Sequence, residues 1–499
     1  MTNALACAII IKVMTNITSS RSTLTIEELY CSLLGKSMRE DMRQMTAEVF
    51  TKLKDLAQNK AEKPAAIIAE AFLGELNPFV YNEDFYIYVD GYYNPVNKKE
   101  ALSVLHSVID SDILDKISVR AQREAIDLSI AKAPRLDALP HYPNLLNVQN
   151  GIYDIENDRL IEHSPDYRMT YKLAVSYNPE AKADRFLECI EHQFGKHKKL
   201  KLNFQETMGY LISDLPALKE FTYFFGESNT GKSFYLALLR KITGESNINS
   251  VGLTQLNQEF YLASMINKKL NVCAEIGSKA LNDLWLIKSL VGSDDAIQVR
   301  QIRQATKLVT EKPKMVFAGN HFPVLISDVE NLDAFFNRIH IIPFDKVIPK
   351  EKQIEGLSDI LYNNEAEGIL LWMLDGYRHF LKNGMKFTAS NRIRKIHNEY
   401  QRYYMIPFNF IKEQLVLSPS DKEFTEDVEK ALKHFCKHHG YSYKPEYLEN
   451  VRHYLVKHGV ANKKVDKKIK KGKHKQKQGF YGVKIVGLKD EQQKEWNEI

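Results

Sequence analysis

The sequence lacks a long apolar segment and a cysteine framework. Its only unbroken apolar run near the start, residues 4–11, is too short to span a bilayer, and no Lys or Arg precedes it as in a secretory signal. The five cysteines are scattered, odd in number and without a CxxC pair, which argues against disulfides and a zinc site. We therefore expect a soluble protein of a reducing cytoplasm, without a membrane partner.

Low-complexity sequence is also scarce, and it is confined to a Lys-rich stretch near the C terminus. Hydrophobic residues make up 44% and charged residues 26% of the 499 residues, a globular composition, and the length suggests about three or four domains. The net charge of +6 is unevenly placed, because residues 461–485 hold ten Lys and one Asp. Such a local field attracts polyanions, so nucleic acid becomes a candidate partner, with a merely solvated tail as the alternative.

Changes of texture along the chain predict five regions. Apolar residues at helical spacing indicate helices at the start, aromatic segments broken by turns then indicate short strands, and strand-like runs alternating with helical patterns indicate a parallel sheet flanked by helices. The predicted regions are a helical N-terminal region of unknown role (1–75), a mixed α/β adaptor module (76–180), an α/β core (181–350), a helical lid (351–415) and a basic, winged-helix-like DNA-binding domain (416–499).

The strongest motif is GESNTGKS at residues 226–233, a full GxxxxGKS between a strand-like run and a helical pattern. Its glycines let backbone N–H groups close around phosphates, Lys232 can reach the β and γ phosphates, and Ser233 can bind Mg²⁺ at a helix N terminus. A chance Gly-rich turn is the alternative. The motif predicts ATP and Mg²⁺ as ligands, and its residues are Gly226, Glu227, Ser228, Asn229, Thr230, Gly231, Lys232 and Ser233.

Three further residues fit the chemistry of phosphoryl transfer. Glu275 ends an apolar run and is the expected second metal and water-orienting residue, with Asp283 as the nearest rival. Asn320 follows another strand-like run and can sense the γ phosphate, although an Asn there is more often a turn residue. Arg338 can stabilise the transferred charge across a subunit boundary, or be an ordinary ion-pair partner.

Cations in two places are candidates for DNA contact. One group surrounds a predicted β-hairpin within the core, and the other lies in the Lys-rich stretch of the C-terminal outline of two helices and a hairpin. A solvated surface is the alternative for both groups. The candidate DNA-binding residues are Lys288, Arg300, Arg303, Lys307, Lys467, Lys468, Lys470, Lys471 and Lys473.

Taken together, GESNTGKS, NVCAEI, IKSLVGSDDAIQVRQ, FAGN and FNRIHIIPF resemble the superfamily 3 helicase core. This AAA+ P-loop ATPase occurs in phage, poxvirus and genomic-island primase-helicases and replication initiators. Upstream, LLNVQNGIYDI and HSPDYRMTYKLAVSYNPEA resemble the module that precedes that core, so the resemblance covers residues 77–415 approximately, with a similar basic winged helix afterwards.

The resemblance implies a ring, usually a hexamer, in which ATP lies between subunits and central hairpins grip one DNA strand. It assigns the phosphate and metal roles to Lys232 and Ser233, the second acid to Glu275, the start of the hairpin motif to Lys288, the sensor to Asn320 and the trans-acting arginine to Arg338. Many relatives carry two adjacent acids where this chain has Ala274-Glu275. Whether Glu275 activates water, binds the metal through water, or does both is thereby left open.

These features predict an ATP-dependent replicative DNA helicase of a mobile genetic element or phage. The roughly 75 residues ahead of the adaptor contain no DxD and are too few for a priming domain, so we expect a separate primase as a partner. The other expected partners are single-stranded and forked DNA and further copies of the chain. Two alternatives remain. One is an initiator that recognises and melts an origin duplex, and the other is an ATP-switched DNA-binding assembly protein that does not unwind processively.

Overall fold

A computed structural model of the protein describes residues 63–108, 115, 117–256, 258–274, 281, 284–291, 296–300, 306–327, 329–468 and 474–486. The described chain forms two compact units. Of the described residues, the first unit includes those up to Val80 and those within Asp84–Ile87 and Val96–Arg135, and the second includes those within Tyr81–Glu83 and Tyr88–Pro95 and those from Leu136 onward. Among the described helices, none combines the length and the apolar character that crossing a membrane requires.

Within the described residues, the first unit contains three helices. Helices α1 and α2 both pack on α3, and α1 begins with a proline, which suits the first turn of a helix because it needs no N–H there. Residues 1–62 of the predicted N-terminal helical region lie outside the described residues. The helices are α1 (Pro64–Leu76), α2 (Lys98–Val108) and α3 (Val119–Lys132). Between α1 and α2 in the sequence come the strands β1 (Phe79–Tyr81), β2 (Asp84–Val89) and β3 (Tyr92–Val96), which form a sheet in the order β1-β2-β3.

The part of the second unit that runs from Leu136 onward begins with an antiparallel sheet of three short strands. Its strands are β4 (Leu145–Val148), β5 (Gly151–Asp154) and β6 (Arg159–Ile161), in that spatial order. The aromatic, turn-punctuated sequence in this region predicted short strands, and the structure confirms them.

A five-stranded parallel sheet forms the centre of the second unit. Its strands are β7 (Phe221–Phe225), β8 (Ile248–Asn249), β9 (Leu270–Cys273), β12 (Lys314–Gly319) and β13 (Ile339–Pro343), and their spatial order is β13-β7-β12-β9-β8. Every neighbouring pair is parallel, so all five carboxyl ends lie at one edge of the sheet. The strands are almost wholly buried, as expected for a sheet that is covered on both faces. The predicted parallel sheet is confirmed.

Helices cover both faces of this sheet. Side chains of β7 alternate between the two faces: Phe224 points into the core on one face, whereas Phe221 and Tyr223 point into the core on the other. Helices α4, α5, α6 and α10 cover the first of these faces, and α8, α9 and α11 cover the second. The helices of this region are α4 (Asp184–Phe194), α5 (Lys198–Ile212), α6 (Lys232–Thr243), α7 (Glu259–Ser264), α8 (Leu284–Leu290), α9 (Val329–Phe336), α10 (Leu357–Lys382) and α11 (Asn391–Gln414).

Helices α5 and α10 approach each other closely at two glycines. A Cβ on Gly209 would lie 2.2 Å from the carbonyl oxygen of Met373, and one on Gly376 would lie 2.2 Å from that of Gln205. The two helices therefore pack backbone against backbone, which only glycine permits at these positions. Helix α10 belongs to the core of the unit, and a lid role for residues 351–415 stays a prediction.

Two helices and a three-stranded antiparallel sheet form the C-terminal part of the unit. The elements are β14 (Leu415–Phe424), α12 (Thr425–His438), α13 (Pro445–Lys457), β15 (Ala461–Lys468) and β16 (His474–Ile485), and the sheet order is β14-β16-β15. Strands β15 and β16 form a hairpin whose pairing runs from Ala461 opposite Tyr481 to Lys468 opposite His474. This is the predicted sequence of two helices and a basic hairpin, and its assignment as a DNA-binding winged helix stays a prediction.

A buried histidine in β13 makes stability depend on pH. His340 stacks on Phe387 with ring centroids 4.4 Å apart, and its Nε2 lies 3.0 Å from Asn203 Oδ1. Burial, helped by the charge of His397, lowers the pKa of His340 to about 4. An unfolded histidine has a pKa near 6.5. Between about pH 6.5 and pH 4, His340 is therefore protonated in the unfolded chain but neutral in the folded chain.

We therefore expect the free energy of unfolding to fall as the pH drops through this window, by about 3 kcal/mol from this one residue at most. Urea unfolding at pH 7 and pH 4.5 measures the fall, which should shrink in the His340→Gln variant. The exposed His192 provides a control, because His192→Gln should leave the pH profile unchanged. Identical profiles for the native chain and His340→Gln would contradict the assignment.

Candidate functional site

The motif at residues 226–233 forms the junction between β7 and α6. It follows the carboxyl end of β7, and α6 begins at Lys232 with Gly231 as its N-terminal cap. The predicted strand, loop and helix are thus all present. Since the first N–H groups of a helix have no partner within the helix, the beginning of α6 favours an anion at this edge of the sheet.

Two glycines allow the loop to take this path. Gly231 has φ +85, in the left-handed region that side chains rarely adopt. A Cβ there would make only ordinary van der Waals contacts, 3.6 Å from Ile348 and 3.7 Å from Tyr235, so conformation rather than crowding requires glycine. Gly226 lies against the backbone of the chain after β13, where a Cβ would come 2.2 Å from the carbonyl oxygen of Phe344. Asn229, with φ +62, is also left-handed, and Ile348 N–H donates to its carbonyl at 2.7 Å.

The side chain of Lys232 folds back into the loop. Its Nζ donates to the carbonyl oxygens of Gly226 at 2.7 Å and Glu227 at 2.6 Å, and to Thr230 Oγ1 at 3.3 Å. The side chain is buried, and this burial lowers the pKa of the ammonium from its usual value. Ser233, the next residue, is exposed in the first turn of α6. The loop therefore presents a desolvated cation beside an accessible hydroxyl.

Asn320 reaches the loop from the neighbouring strand. It follows the carboxyl end of β12, which pairs with β7, and its Nδ2 donates to Ser228 Oγ at 2.9 Å. The side chain is exposed. A direct contact between Asn320 and residues 226–233 is what a sensor of the loop's occupant requires, although its role as a sensor stays a prediction.

The second acid falls outside the described residues. Strand β9 ends at Cys273, next to β12 in the sheet, and Ala274 follows it as an exposed residue. Glu275 and its rival Asp283 are both among the residues that the structure does not describe. Their predicted roles in binding Mg²⁺ and orienting water stay predictions.

Arg338 lies at the opposite edge of the sheet from the loop. It comes just before β13, and its carbonyl accepts the N–H of Phe221, the first residue of β7. Its Nη1 donates to the carbonyl of Ala334 at 2.9 Å. The length of β7, about 17 Å at the usual rise per residue, separates this edge from residues 226–233. Arg338 is therefore not brought to the loop of its own chain.

The predicted hairpin in the core is present. Strands β10 (Ile297–Arg300) and β11 (Thr306–Val309) are antiparallel, with Arg300 opposite Thr306 and Val299 opposite Lys307. Lys288 lies in α8, upstream of the hairpin, and Arg303 lies outside the described residues. In the C-terminal hairpin, Lys467 and Lys468 end β15, whereas Lys470, Lys471 and Lys473 lie outside the described residues. Contact with DNA at all of these positions stays a prediction.

Sequence reasoning missed the chain that follows Asn320. Tyr223 donates a hydrogen bond to the carbonyl of His321, and Phe322 stacks on Phe225, the residue before the loop, with centroids 4.1 Å apart. Tyr400 of α11 stacks on the other side of Phe322 at 3.8 Å. Tyrosines four residues apart on a helix indicate an aromatic stripe, but the sequence gives no sign of what that stripe contacts.

A buried lysine and a largely buried one, both at the amino edge of the sheet, were also missed. Lys314 Nζ donates to the carbonyl oxygens of Tyr210 at 2.5 Å and Ser213 at 2.9 Å, both at the end of α5. Lys269 Nζ lies 3.8 Å from an oxygen of Asp214 and 3.4 Å from the ring centroid of Tyr171. A lysine that begins a strand is usually a solvated residue, so no sequence signal separates these two from the many exposed ones.

Comparison with known proteins gives two family matches. Residues 62–195 match the family described as D5 N terminal like, and residues 224–338 match a family of unknown function, DUF5906. The first match falls on the region whose sequence resembles the module preceding a helicase core. The second covers the loop, Asn320 and Arg338, and its description names no activity. Curated proteins provide no match.

Solved structures of the NrS-1 C terminal region are similar over 85% of this chain and 100% of their own. The A form apo structure has a TM-score of 0.44 and 12% identity, and a second apo structure has a TM-score of 0.40 and 14% identity. Similarity at this level supports no statement about activity. The two family matches are therefore the firmer result: the chain is similar to the D5 N terminal like family over residues 62–195 and to DUF5906 over residues 224–338, which include the GxxxxGKS motif.

Proposed function

We propose that the protein is an ATP-driven DNA helicase that replicates a mobile genetic element or phage genome as a hexameric ring of the superfamily 3 AAA+ type. One observation carries the proposal. Residues 226–233 form a strand-to-helix loop that holds the ammonium of Lys232 and contacts the amide of Asn320. This arrangement suits the binding and cleavage of a nucleoside triphosphate.

The donors around the loop fit a triphosphate and Mg²⁺. Lys232 would exchange loop carbonyls for β and γ phosphate oxygens, and the exposed hydroxyl of Ser233, together with Glu275, would hold the metal. Mg²⁺, when bound, neutralises charge on the phosphates. Asn320, already 2.9 Å from Ser228, would orient water or detect the γ phosphate. Loss of that phosphate would then change the position of the chain around Asn320.

The position of Arg338 favours an assembly of several copies. At the edge opposite to its own loop, Arg338 would not reach its own nucleotide. Released from its bond to Ala334, it would serve the nucleotide of an adjacent copy, as an arginine finger in trans does. Hydrolysis at one interface would move the hairpin β10–β11 of that subunit relative to the ring. Successive hydrolysis would pass one DNA strand through the centre.

The family match and the charge distribution support nucleic acid as the substrate. The D5 N terminal like segment precedes the ATPase core, in the place expected for a primase-helicase, and residues 461–485 carry ten Lys against one Asp. The lysines named at the tip of the C-terminal hairpin would bind phosphates. A separate primase would supply the priming step.

Strand displacement on forked DNA tests the proposal. With ATP and Mg²⁺, the purified protein should release the labelled strand of a fork with 3′ and 5′ tails, and it should release none with a non-hydrolysable analogue. A fork that stays annealed while DNA stimulates ATP hydrolysis would instead favour an ATP-switched assembly protein. Particle images of the same sample count the subunits of the assembly.

An origin-recognising initiator is the second candidate, favoured by the two helices and basic hairpin at the C terminus. Nonspecific attraction to phosphates weakens steeply with salt for every sequence, whereas origin recognition requires preference for one duplex over random competitor at equal salt. Footprinting on the element's own DNA distinguishes them. Unchanged DNA affinity after deletion of residues 463–477 would mean that the Lys stretch is only a solubilising tail.

A further inference from the structure

Residues 321–327, which we name the post-sensor segment, directly follow Asn320 at the carboxyl edge of the sheet. The segment is attached to the strand that leads into the phosphate-binding loop. Tyr223 donates to the carbonyl of His321, and Phe322 and Phe225 stack with centroids 4.1 Å apart and planes 7° apart. Its first residues are therefore joined to Asn320 by the chain and to the beginning of the loop by these contacts.

Helix α11 holds the middle of the segment. The hydroxyls of Tyr400 and Tyr404 donate to the carbonyl of Pro323 at 3.0 and 2.9 Å, and the N–H of Leu325 donates to Tyr404 at 3.2 Å. Both tyrosines are buried, and Tyr400 also stacks on Phe322 at 3.8 Å. Buried hydroxyls with defined partners fix a backbone more rigidly than apolar packing alone.

Helix α13 of the C-terminal part holds the end of the segment through one side chain. Asn450 is fully buried, its Nδ2 donates to the carbonyl of Leu325 at 3.0 Å, and its Oδ1 accepts the N–H of Ser327 at 3.2 Å. The amide thus pairs with the segment as an adjacent strand would. On the other side, Leu281 forms a parallel bridge with Leu325.

We propose that nucleic acid bound to the C-terminal part sets the rate of ATP hydrolysis through the post-sensor segment. Asn450, Tyr400 and Tyr404 are positioning residues that determine where the segment places Asn320. The proposal rests on the ATPase activity proposed above, and it adds the route by which DNA reaches that site. A shift of α13 is carried to Ser228 through Asn450, the segment and Asn320, which form one chain of hydrogen bonds and covalent links.

Hydrogen exchange provides a test that does not require ATP hydrolysis. A labelled 30-nucleotide single strand is added to the full chain, and exchange is measured in peptides that cover residues 321–327. We expect binding to change the exchange rate of the native segment at least about fivefold, and less than about twofold in Asn450→Ala. Asn450→Asp, which keeps the acceptor for Ser327 but loses the donor to Leu325, should lie between them.

Steady-state kinetics provide the second readout. DNA should raise kcat for ATP hydrolysis by the native chain, and Asn450→Ala should lose most of that rise while its KM for ATP and its DNA affinity stay within about twofold. Val456→Ala, an exposed change on the same helix, is the control and should behave as the native chain. A merely structural role for Asn450 would lower kcat with and without DNA equally.

The outcomes separate the two proposals. Normal DNA stimulation and a normal exchange response in Asn450→Ala would overturn the coupling and leave the ATPase standing. A native chain that shows the exchange response but hydrolyses no ATP would reject the ATPase, and with it the control of hydrolysis, and would keep only the structural link between bound DNA and the post-sensor segment. Should Asn450→Ala unfold, the double variant Tyr400→Phe with Tyr404→Phe decides the question, because it retains both rings and removes only the hydroxyls that bind Pro323 and Leu325.

Discussion

Replacing Lys232 with alanine is expected to lower the rate of ATP hydrolysis about 100-fold or more and to abolish strand displacement. The ammonium is the only charged group that the loop holds at the beginning of α6 by bonds to its own oxygens, within the described residues. Without it, charge that develops on the transferred phosphoryl group loses its nearest cation. Phosphate release under saturating ATP measures the effect.

The same substitution removes three hydrogen bonds from the loop, so folding must be measured beside activity. Circular dichroism and the urea midpoint should remain close to those of the native chain, because the loop lies at the edge of the sheet. Lys199→Ala, an exposed change on α5, is the matched control and should leave hydrolysis intact. Activity that survives in a folded Lys232→Ala protein would reject the nucleotide site.

Replacing Lys314 with methionine is expected to destabilise the second unit by about 2–4 kcal/mol. The ammonium closes the end of α5 by donating to the carbonyls of Tyr210 and Ser213 and to the hydroxyl of Ser213, 3.0 Å away. Methionine fills similar space but removes this donor from all three acceptors. The carbonyl of Tyr210 still accepts from Ser213, and the hydroxyl of Ser213 still accepts from the N–H of Leu215, so the carbonyl of Ser213 bears most of the loss. The substitution also removes the cost of burying a cation, a burial that holds the pKa of Lys314 well below its usual value. This gain offsets only part of the loss.

Urea unfolding monitored by tryptophan fluorescence tests this expectation, because Trp372 lies on α10 against α5. Lys219→Met, an exposed change close to the start of β7, is the control and should shift the midpoint little. A change below about 0.5 kcal/mol for Lys314→Met would show that water or neighbouring groups replace the ammonium without loss.

The sequence predicted those parts of the site that local chemistry determines. A GxxxxGKS between an apolar run and a helical pattern permits few conformations, so the junction of β7 and α6 was predictable from residues 226–233 alone. The hairpin of β10 and β11 and the order of C-terminal elements were predictable from periodicity and turn residues. In each case, residues that are close in sequence determine the structure.

Contacts between distant residues were not predictable in this way. The bond from Asn320 to Ser228 joins residues 92 positions apart, and the pairing of Asn450 with Ser327 joins residues 123 positions apart. Both depend on the order of the strands and on which face each helix covers, which no local pattern encodes. Lys314 shows the same limit, because its burial depends on α5 ending beside β12.

The location of Arg338 at the edge remote from residues 226–233 has a consequence for how activity varies with protein concentration. If the arginine serves an adjacent copy, each copy must meet its neighbours through two different surfaces, so association is head-to-tail and closes as a circle or grows as a filament. An isolated copy would bind nucleotide yet lack the guanidinium. Specific activity per milligram would then rise steeply on concentration and vanish on dilution, even though no single copy had lost its fold.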